Sequence, residues 1–307
     1  MPELRVINLA APDFDGAVAE AFSEHGGFVA AGCGSLIAEI GALLEFFDQP
    51  AAEKRKLATR RHEPTHLNIY RGYNPPPVEA NWSYNETFDL GPEPPLSAPD
   101  LPSRAAFTEA TVWPDPATLP EWRAAAERFQ EGCVALARSI AAAAARGLSG
   151  DETATEALMG GRNSTLRLLN YPPPPQDFTL LTADGAAEAP KVDGKMTVAR
   201  EHTDTGLMSI LWQDSEGGLQ MLGRDGVWRD TPIGEGLSVH CGDLLSPVLS
   251  PAMAATPHRV LGGKAARQSA GVFIEPDYTA EVMTPDGGLK TYAAHLTDRF
   301  PGRFEAQ

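Results

Sequence analysis

Cysteine is scarce in this chain of 307 residues: Cys33, Cys133 and Cys241 lie far apart and form no Cys-x-x-Cys pair. That excludes a disulfide framework and a thiolate zinc site, and it fits a reducing cytoplasm. Basic charge is also short, with 25 Lys and Arg against 41 Asp and Glu, a net charge of -16. Such a surface repels phosphate backbones and anionic lipid, so neither nucleic acid nor membrane is expected as a partner. There is no basic, apolar leader at the start, where Glu3 and Asp13 stand, so no secretory signal is expected. The Asn-x-Ser/Thr matches at Asn81, Asn85 and Asn163 are then chance. No repeat period appears, which removes solenoids and propellers. Nucleotide-binding glycine loops and a serine nucleophile elbow are missing too.

What is present divides into two textures. The first alternates short elements: a strand over Arg5 to Leu9, a helix over Asp13 to Glu24 stopped by Gly26-Gly27, a strand over Phe28 to Ala31 and an amphipathic helix over Ser35 to Phe47. Asn74 to Pro120 is too rich in Pro and Gly for long helices, and only Glu86 to Leu90 has strand character there. Leu119 to Gly147 reads as a long Ala-rich helix, and Arg138 and Arg146 interrupt it too often for a membrane span. Beyond it the chain breaks into short β-rich pieces: Leu166 to Tyr171, Thr197 to His202, Leu207 to Trp212, Leu219 to Leu222, Val227 to Arg229, Leu237 to Cys241, His258 to Leu261 and Gln268 to Glu275. Regular strands with Gly217-Gly218 and Asp225-Gly226 between them predict an antiparallel barrel or sandwich.

His202 and Asp204, two apart in a segment that reads as extended, are placed on one face of a strand, and His258 opens a later strand. Two histidines and one carboxylate form the face that holds ferrous iron and leaves positions open for oxygen chemistry. The bland alternative is a pair of ordinary strand histidines bonded to carboxylates. Downstream, Arg267 and Ser269 share a strand face, and a guanidinium fork beside a hydroxyl suits a carboxylate. Tyr171 can add a phenol. His62-Glu63-Pro64-Thr65-His66 matches a zinc protease pattern, but Pro64 spoils the helical turn that pattern needs.

Together, His202-Thr203-Asp204, His258-Arg259-Val260, Arg267-Gln268-Ser269 and the strand Leu166 to Pro172 resemble the iron(II)- and 2-oxoglutarate-dependent dioxygenases of the isopenicillin N synthase-like group. The resemblance continues through Val6 to Leu9, His25 to Phe28, Arg71-Gly72-Tyr73 and Glu86 to Leu90, so it covers nearly the whole chain. It implies an α+β, mostly β fold: a double-stranded β-helix, or jelly-roll, cupin-like core with flanking helices and an N-terminal α/β region. Residues 1–160 would form the support and 161–307 the core, in one compact unit. By the same resemblance His202, Asp204 and His258 hold Fe(II), while Arg267, Ser269 and Tyr171 hold 2-oxoglutarate, with O2 as the other cosubstrate. No catalytic group beyond the metal ligands is expected. Phe273, Phe88, Tyr73 and Leu207 become candidate walls of a substrate pocket, with core packing as the competing role.

Two departures from the group stand out. Gln176 to Met196 is an extended polar stretch, expected to be a hairpin or a lid, and Ser246 to Pro257 is Pro- and Ala-rich, with Ala255 where relatives carry Ser. The expected activity is oxidation of a small organic metabolite, by hydroxylation or desaturation, with release of succinate and CO2. An iron oxidase of the same fold without 2-oxoglutarate, and a non-catalytic metal-binding barrel, are the alternatives. The primary substrate and the oligomeric state are not encoded in any motif.

Overall fold

The computed structural model describes residues 2–96, 104–148, 150–159, 163–182, 184–234, 236–250 and 253–300. Pro99 and Pro102 of the proline-rich stretch lie outside them. Val6–Asn8 (β1) leads into helix Phe14–His25 (α1), which ends where Gly26 turns left-handed at φ 72° and bonds back to the Phe22 carbonyl. Gly27–Ala31 (β2), Gly34–Leu44 (α2), Ala51–Arg55 (α3), Gly72–Asn74 (β3) and Glu86–Leu90 (β4) follow, then Arg104–Phe107 (α4), Trp122–Leu148 (α5) and Glu152–Met159 (α6). The remainder is mostly β: Ser164–Tyr171 (β5), Thr179–Thr182 (β6), Gly185–Glu188 (β7), Lys191–Val192 (β8), Lys195–His202 (β9), Met208–Gln213 (β10), Leu219–Leu222 (β11), Trp228–Asp230 (β12) and Leu237–Cys241 (β13). A one-turn helix Ser246–Leu249 (α7) precedes His258–Gly262 (β14) and Arg267–Ile274 (β15), and the hairpin Glu281–Met283 (β16) and Leu289–Thr291 (β17) precedes Tyr292–Arg299 (α8).

The strands form a major sheet, β1-β2-β13-β10-β15-β5-β4-β3, and a minor sheet, β12-β11-β14-β9-β8, antiparallel except for the β1–β2 pair. This is the expected jelly-roll core with flanking helices. The chain before β1 is stitched to both sheets: the Leu4 N–H bonds to the Asp230 carbonyl at 3.0 Å in the minor sheet, and Val6 pairs with Val29 in the major one. The run from Trp82 to Leu90 does the same on the other side, bonding Val198 and Arg200 of β9 before β4 pairs with β5. Two crossings of the N-terminal region therefore close the sandwich at both edges.

Period-two alternation assigns each strand two faces. On the outer face of the major sheet, Phe88, Leu166, Leu168, Ile210, Val239, Ala270 and Val272 pack with Phe46, Trp122, Phe129 and Ile140 of the helices into the main core. Facing inward, Leu169 and Tyr171 meet Val198, Leu219, Met221 and Val260 from the minor sheet. The inner face is the more polar one, and the chemistry lies there. Thr179 to Val192, within the polar stretch, forms the β6–β7 hairpin plus the edge strand β8, and Asn81 pairs with Leu180 to fix the hairpin beside β9.

Candidate functional site

β14 lies antiparallel to β9 with His258 opposite His202, so the register alone brings the two imidazoles together, ring centroids 4.2 Å apart. Asp204 is not on that strand. β9 ends at His202, and the carboxylate comes from the loop to β10; the backbone of Gly242, Asp243 and Leu244 clamps this loop, donating to the carbonyls of Leu207, Asp204 and Gly206 at 2.9, 2.8 and 3.1 Å. Gly242 has to be glycine here, because a Cβ would stand 2.3 Å from the Gly206 carbonyl oxygen. His202, Asp204 and His258 each bring a ligand atom within 4.8 Å of the others.

The protonation pattern favours a cation. His202 Nδ1 faces the Arg200 carbonyl at 2.7 Å and His258 Nδ1 faces the Thr256 carbonyl at 3.1 Å, so each Nδ1 carries the proton and each Nε2 presents its lone pair. Burial pushes both imidazoles below their ordinary pKa, His258 the further, which keeps them neutral. For Asp204, burial works upward, but His258, His240 and His202 together hold the carboxyl far below the usual range. Its Oδ1 lies 3.9 Å from His202 Nε2 and 3.8 Å from His258 Nε2. The other oxygen is occupied: Ser209 Oγ donates to Oδ2, and His240 Nε2 bonds it at 2.9 Å. His240 is fully buried, and its Nδ1 has no partner among the described residues. Sequence reasoning missed both Ser209 and His240, which carry no local motif and join Asp204 only through the pairing of β10 with β13.

Arg267 and Tyr171 are register partners on β15 and β5, and the guanidinium carbon sits 4.6 Å from the Tyr171 ring centre. Arg267 Nε donates to the Gly217 carbonyl at 2.6 Å, and Nη2 reaches Gln213 Oε1 at 3.5 Å. Only 3% of the residue is exposed, yet among the described residues no carboxylate lies within ion-pair distance; Asp214 acts on it only from further off. Burial lowers its pKa, which remains high enough for a full charge. Buried cations are ordinarily paired. Ser269 shares the inner face, its hydroxyl donating to the Trp212 carbonyl at 2.5 Å.

Of the four candidate wall residues, Phe273 alone stands on the inner face, half-buried, in register with Ser209. Phe88 packs on Phe46 and Trp122 with ring centroids 4.4 and 5.6 Å away, Tyr73 bonds the buried Glu86 carboxylate at 2.5 Å, and Leu207 belongs to the same outer core. The structure puts these three on the helix side of the major sheet, away from the ligand cluster. Trp82 does reach it, its ring centred 5.2 Å from that of His202. The His62 to His66 segment is a turn, with Glu63 paired to Arg55 at 3.3 Å, and holds no metal constellation among the described residues.

The donor set, two neutral imidazoles and one oxygen of a fixed carboxylate, fits a divalent iron ion, and the unpaired buried guanidinium fits the far carboxylate of a keto diacid. The sequence model of the 2OG-Fe(II) oxygenase superfamily matches residues 162–276, which include these four positions and also Tyr171 and Ser269. The 2-oxoglutarate-Fe(II) type oxidoreductase ppzC of Metarhizium rileyi is 32% identical over 178 residues, 57% of this chain and 46% of that protein. This chain spans about half the length of the ppzC relatives. Isopenicillin N synthase of Streptomyces clavuligerus is 26% identical over 245 residues, covering 76% of this chain and 70% of the other. The crystal structure of a 2OG-Fe(II) oxygenase family protein from Caulobacter crescentus superposes with a TM-score of 0.73 at 23% identity, covering 97% of this chain and 99% of that one. Residues 162–276 match the 2OG-Fe(II) oxygenase superfamily model, and in motif, register and fold the chain is similar to proteins of that superfamily.

Proposed function

We propose that this chain is an Fe(II)- and 2-oxoglutarate-dependent dioxygenase that hydroxylates or desaturates a small organic molecule. The observation that carries the reading is Arg267: a buried cation with no carboxylate within ion-pair distance among the described residues, on the inner face of the major sheet, which faces the minor sheet that carries His202 and His258. His202 and His258 would offer Nε2 and Asp204 would offer Oδ1. Ser209 and His240 keep Oδ2 engaged, so Asp204 contributes one oxygen and the remaining coordination positions stay free. Arg267 would hold the distal carboxylate of 2-oxoglutarate, steadied by the Tyr171 ring, with Ser269 adding its hydroxyl after a rotation away from Trp212. A ferrous ion held by these residues would supply the oxidising chemistry, with 2-oxoglutarate and O2 consumed together, one oxygen atom ending in succinate as carbon dioxide is released and the other in the hydroxylated product or in water. Phe273 and Trp82 exclude water from the neighbourhood of the ligand cluster.

The N-terminal 160 residues serve the same unit as the core, since β1 to β4 extend the major sheet and close both edges. We place the protein in the cytoplasm: its three cysteines are free and buried. No helix among the described residues is long and apolar enough to cross a membrane.

The test is an anaerobic titration of the apoprotein with ferrous iron and then 2-oxoglutarate. A visible charge-transfer band on adding the keto acid is expected, followed in air by substrate-stimulated succinate release over a metabolite library. Iron bound without the band would replace this reading with an oxidase whose Arg267 grips a substrate carboxylate.

A further inference from the structure

Beside the ligand cluster, the inner face of the major sheet carries a second ionic group that the metal and the keto acid do not use. Arg167 on β5 stands opposite Asp89 on β4 and Gly271 on β15. Its Nε and Nη2 donate to the two oxygens of Asp89 at 2.6 and 2.9 Å, a bidentate pair in which Asp89 is 1% exposed. The guanidinium carbon lies 5.4 Å from the Phe273 ring centre. Phe273 is the register partner of Ser209, which bonds Asp204; against the effect of burial, Asp89 foremost and Asp204 least raise the arginine's pKa. Asp89 and Arg167 thus share a register row with Gly271, and the guanidinium reaches across to Phe273 in the adjacent row, which continues through Ser209 to Asp204 and the ligand cluster.

Structural duty does not account for this group. The β4–β5 ladder is already formed by backbone pairs from Glu86–Asn170 to Leu90–Leu166, and a buried ion pair adds little stability over an apolar pair of similar size. A guanidinium also has five N–H donors. Asp89 takes two, and Nη1 has no acceptor among the described residues, while the side chain keeps 14% of its surface exposed. The donors that remain are held in a fixed plane by Asp89 and by the ring of the half-buried Phe273.

We infer that Arg167 and Phe273 form the recognition element for the primary substrate, and that it takes an uncharged, flat carbonyl compound such as a cyclic amide. The inference rests on the oxygenase reading of the site. The ring of Phe273 supplies an apolar shelf, and the outer edge of Arg167 donates to the carbonyl oxygen. Charge decides against a carboxylate: Asp89 already matches the guanidinium, so a substrate anion would add an unmatched negative charge beside Asp204. A neutral acceptor meets no such penalty.

Three probes of similar size separate the possibilities: isoindolinone with a neutral cyclic amide, indane with no acceptor, and benzoate with an anion. Their dissociation constants are measured by ligand-observed NMR on protein loaded with Zn(II) and 2-oxoglutarate, while the Fe(II) charge-transfer band is followed separately. Isoindolinone is expected to bind at least about tenfold more tightly than the other two, as a hydrogen bond to a charged donor implies. Arg167→Lys keeps a cation for Asp89 and removes the outward edge, so it should erase that preference and leave the 2-oxoglutarate midpoint unchanged. Phe273→Leu should weaken isoindolinone and indane together. Benzoate binding as tightly as isoindolinone, no measurable isoindolinone binding, or Arg167→Lys shifting only the keto acid midpoint would each overturn the assignment. An absent Fe(II) band in the unaltered protein counts against the oxygenase reading instead, and the probe constants still decide the role of Arg167.

Discussion

Replacing Arg267 by Met separates the carboxylate grip from the metal centre. The substitution nearly conserves volume, so the inner face stays filled, and it removes a cation with no carboxylate within ion-pair distance among the described residues. Nε is committed to the Gly217 carbonyl at 2.6 Å, and Nη2 is only loosely engaged with Gln213 at 3.5 Å. The donors left for a ligand therefore lie on Nη1 and Nη2. A hydrogen bond to a charged group is worth about 1.5 to 3 kcal/mol, so losing one or two of them weakens 2-oxoglutarate by roughly 10- to 10,000-fold. Iron binding, which the proposal assigns to His202, Asp204 and His258, should change by less than about threefold. Stability should also stay near that of the parent, since the lost bond to Gly217 is offset by relief from burying an unpaired charge. The assay is a pair of anaerobic titrations, iron by competition with a chromophoric chelator and the keto acid by its charge-transfer band. Parallel loss of both affinities, or a large drop in Tm, would mean that Arg267 supports the barrel and would refute the argument.

Three further outcomes follow from the same geometry. His240→Phe frees Oδ2 of Asp204 from its 2.9 Å partner and should lower iron affinity by about 10- to 100-fold, with partial rescue by His240→Asn; unchanged affinity would deny His240 an orienting role. In the metal-free protein the imidazoles of His202 and His258 titrate below 6.5, so as pH falls below that value the unfolded chain binds protons first and Tm should decline; a flat Tm between pH 7.5 and 5.5 contradicts their neutral burial. Phe88→Ala empties a fully buried site against Phe46 and Trp122 and should cost about 3 to 5 kcal/mol by denaturant unfolding, while leaving the probe preferences of the folded fraction intact.

Why some site residues were legible in the sequence and others were not comes down to strand phase. On β15, Arg267 and Ser269 fix which face is inward, and Phe273 follows them at even spacing, so its place could be read from the chain. β4 offers no such anchor. Phe88 and Tyr73 point outward because β4 pairs with β5 through Phe88–Leu168 and with β3 through Phe88–Tyr73, on the side that packs under α5. Shifting the assumed phase by one residue moves every side chain to the other face, and a sequence without its register cannot choose. His202 and Asp204 were legible as a local pair, although the strand holding both was not: the chain leaves β9 at His202, and the clamp by residues 242–244 returns Asp204 to the site.

His240 shows the deeper limit. It stands 36 residues from Asp204, in a strand where Leu237, Val239 and Cys241 are core residues, and nothing nearby in sequence marks it as polar in function. Its role is created by the β10–β13 register, which sets it opposite Ser209 so that both reach the same carboxylate oxygen. The consequence is chemical. A carboxylate with both oxygens free can chelate a metal and fill an extra coordination position; with Oδ2 engaged it offers one oxygen, and the positions that a keto acid and O2 require remain open. A fully buried imidazole whose Nδ1 finds no partner among the described residues costs stability, and its bond to Asp204 is what the structure gains in return. On the proposed assignment, the His202, Asp204 and His258 pattern would set which metal chemistry is available, and the two side chains behind Asp204 would set how much of the metal is left exposed to it.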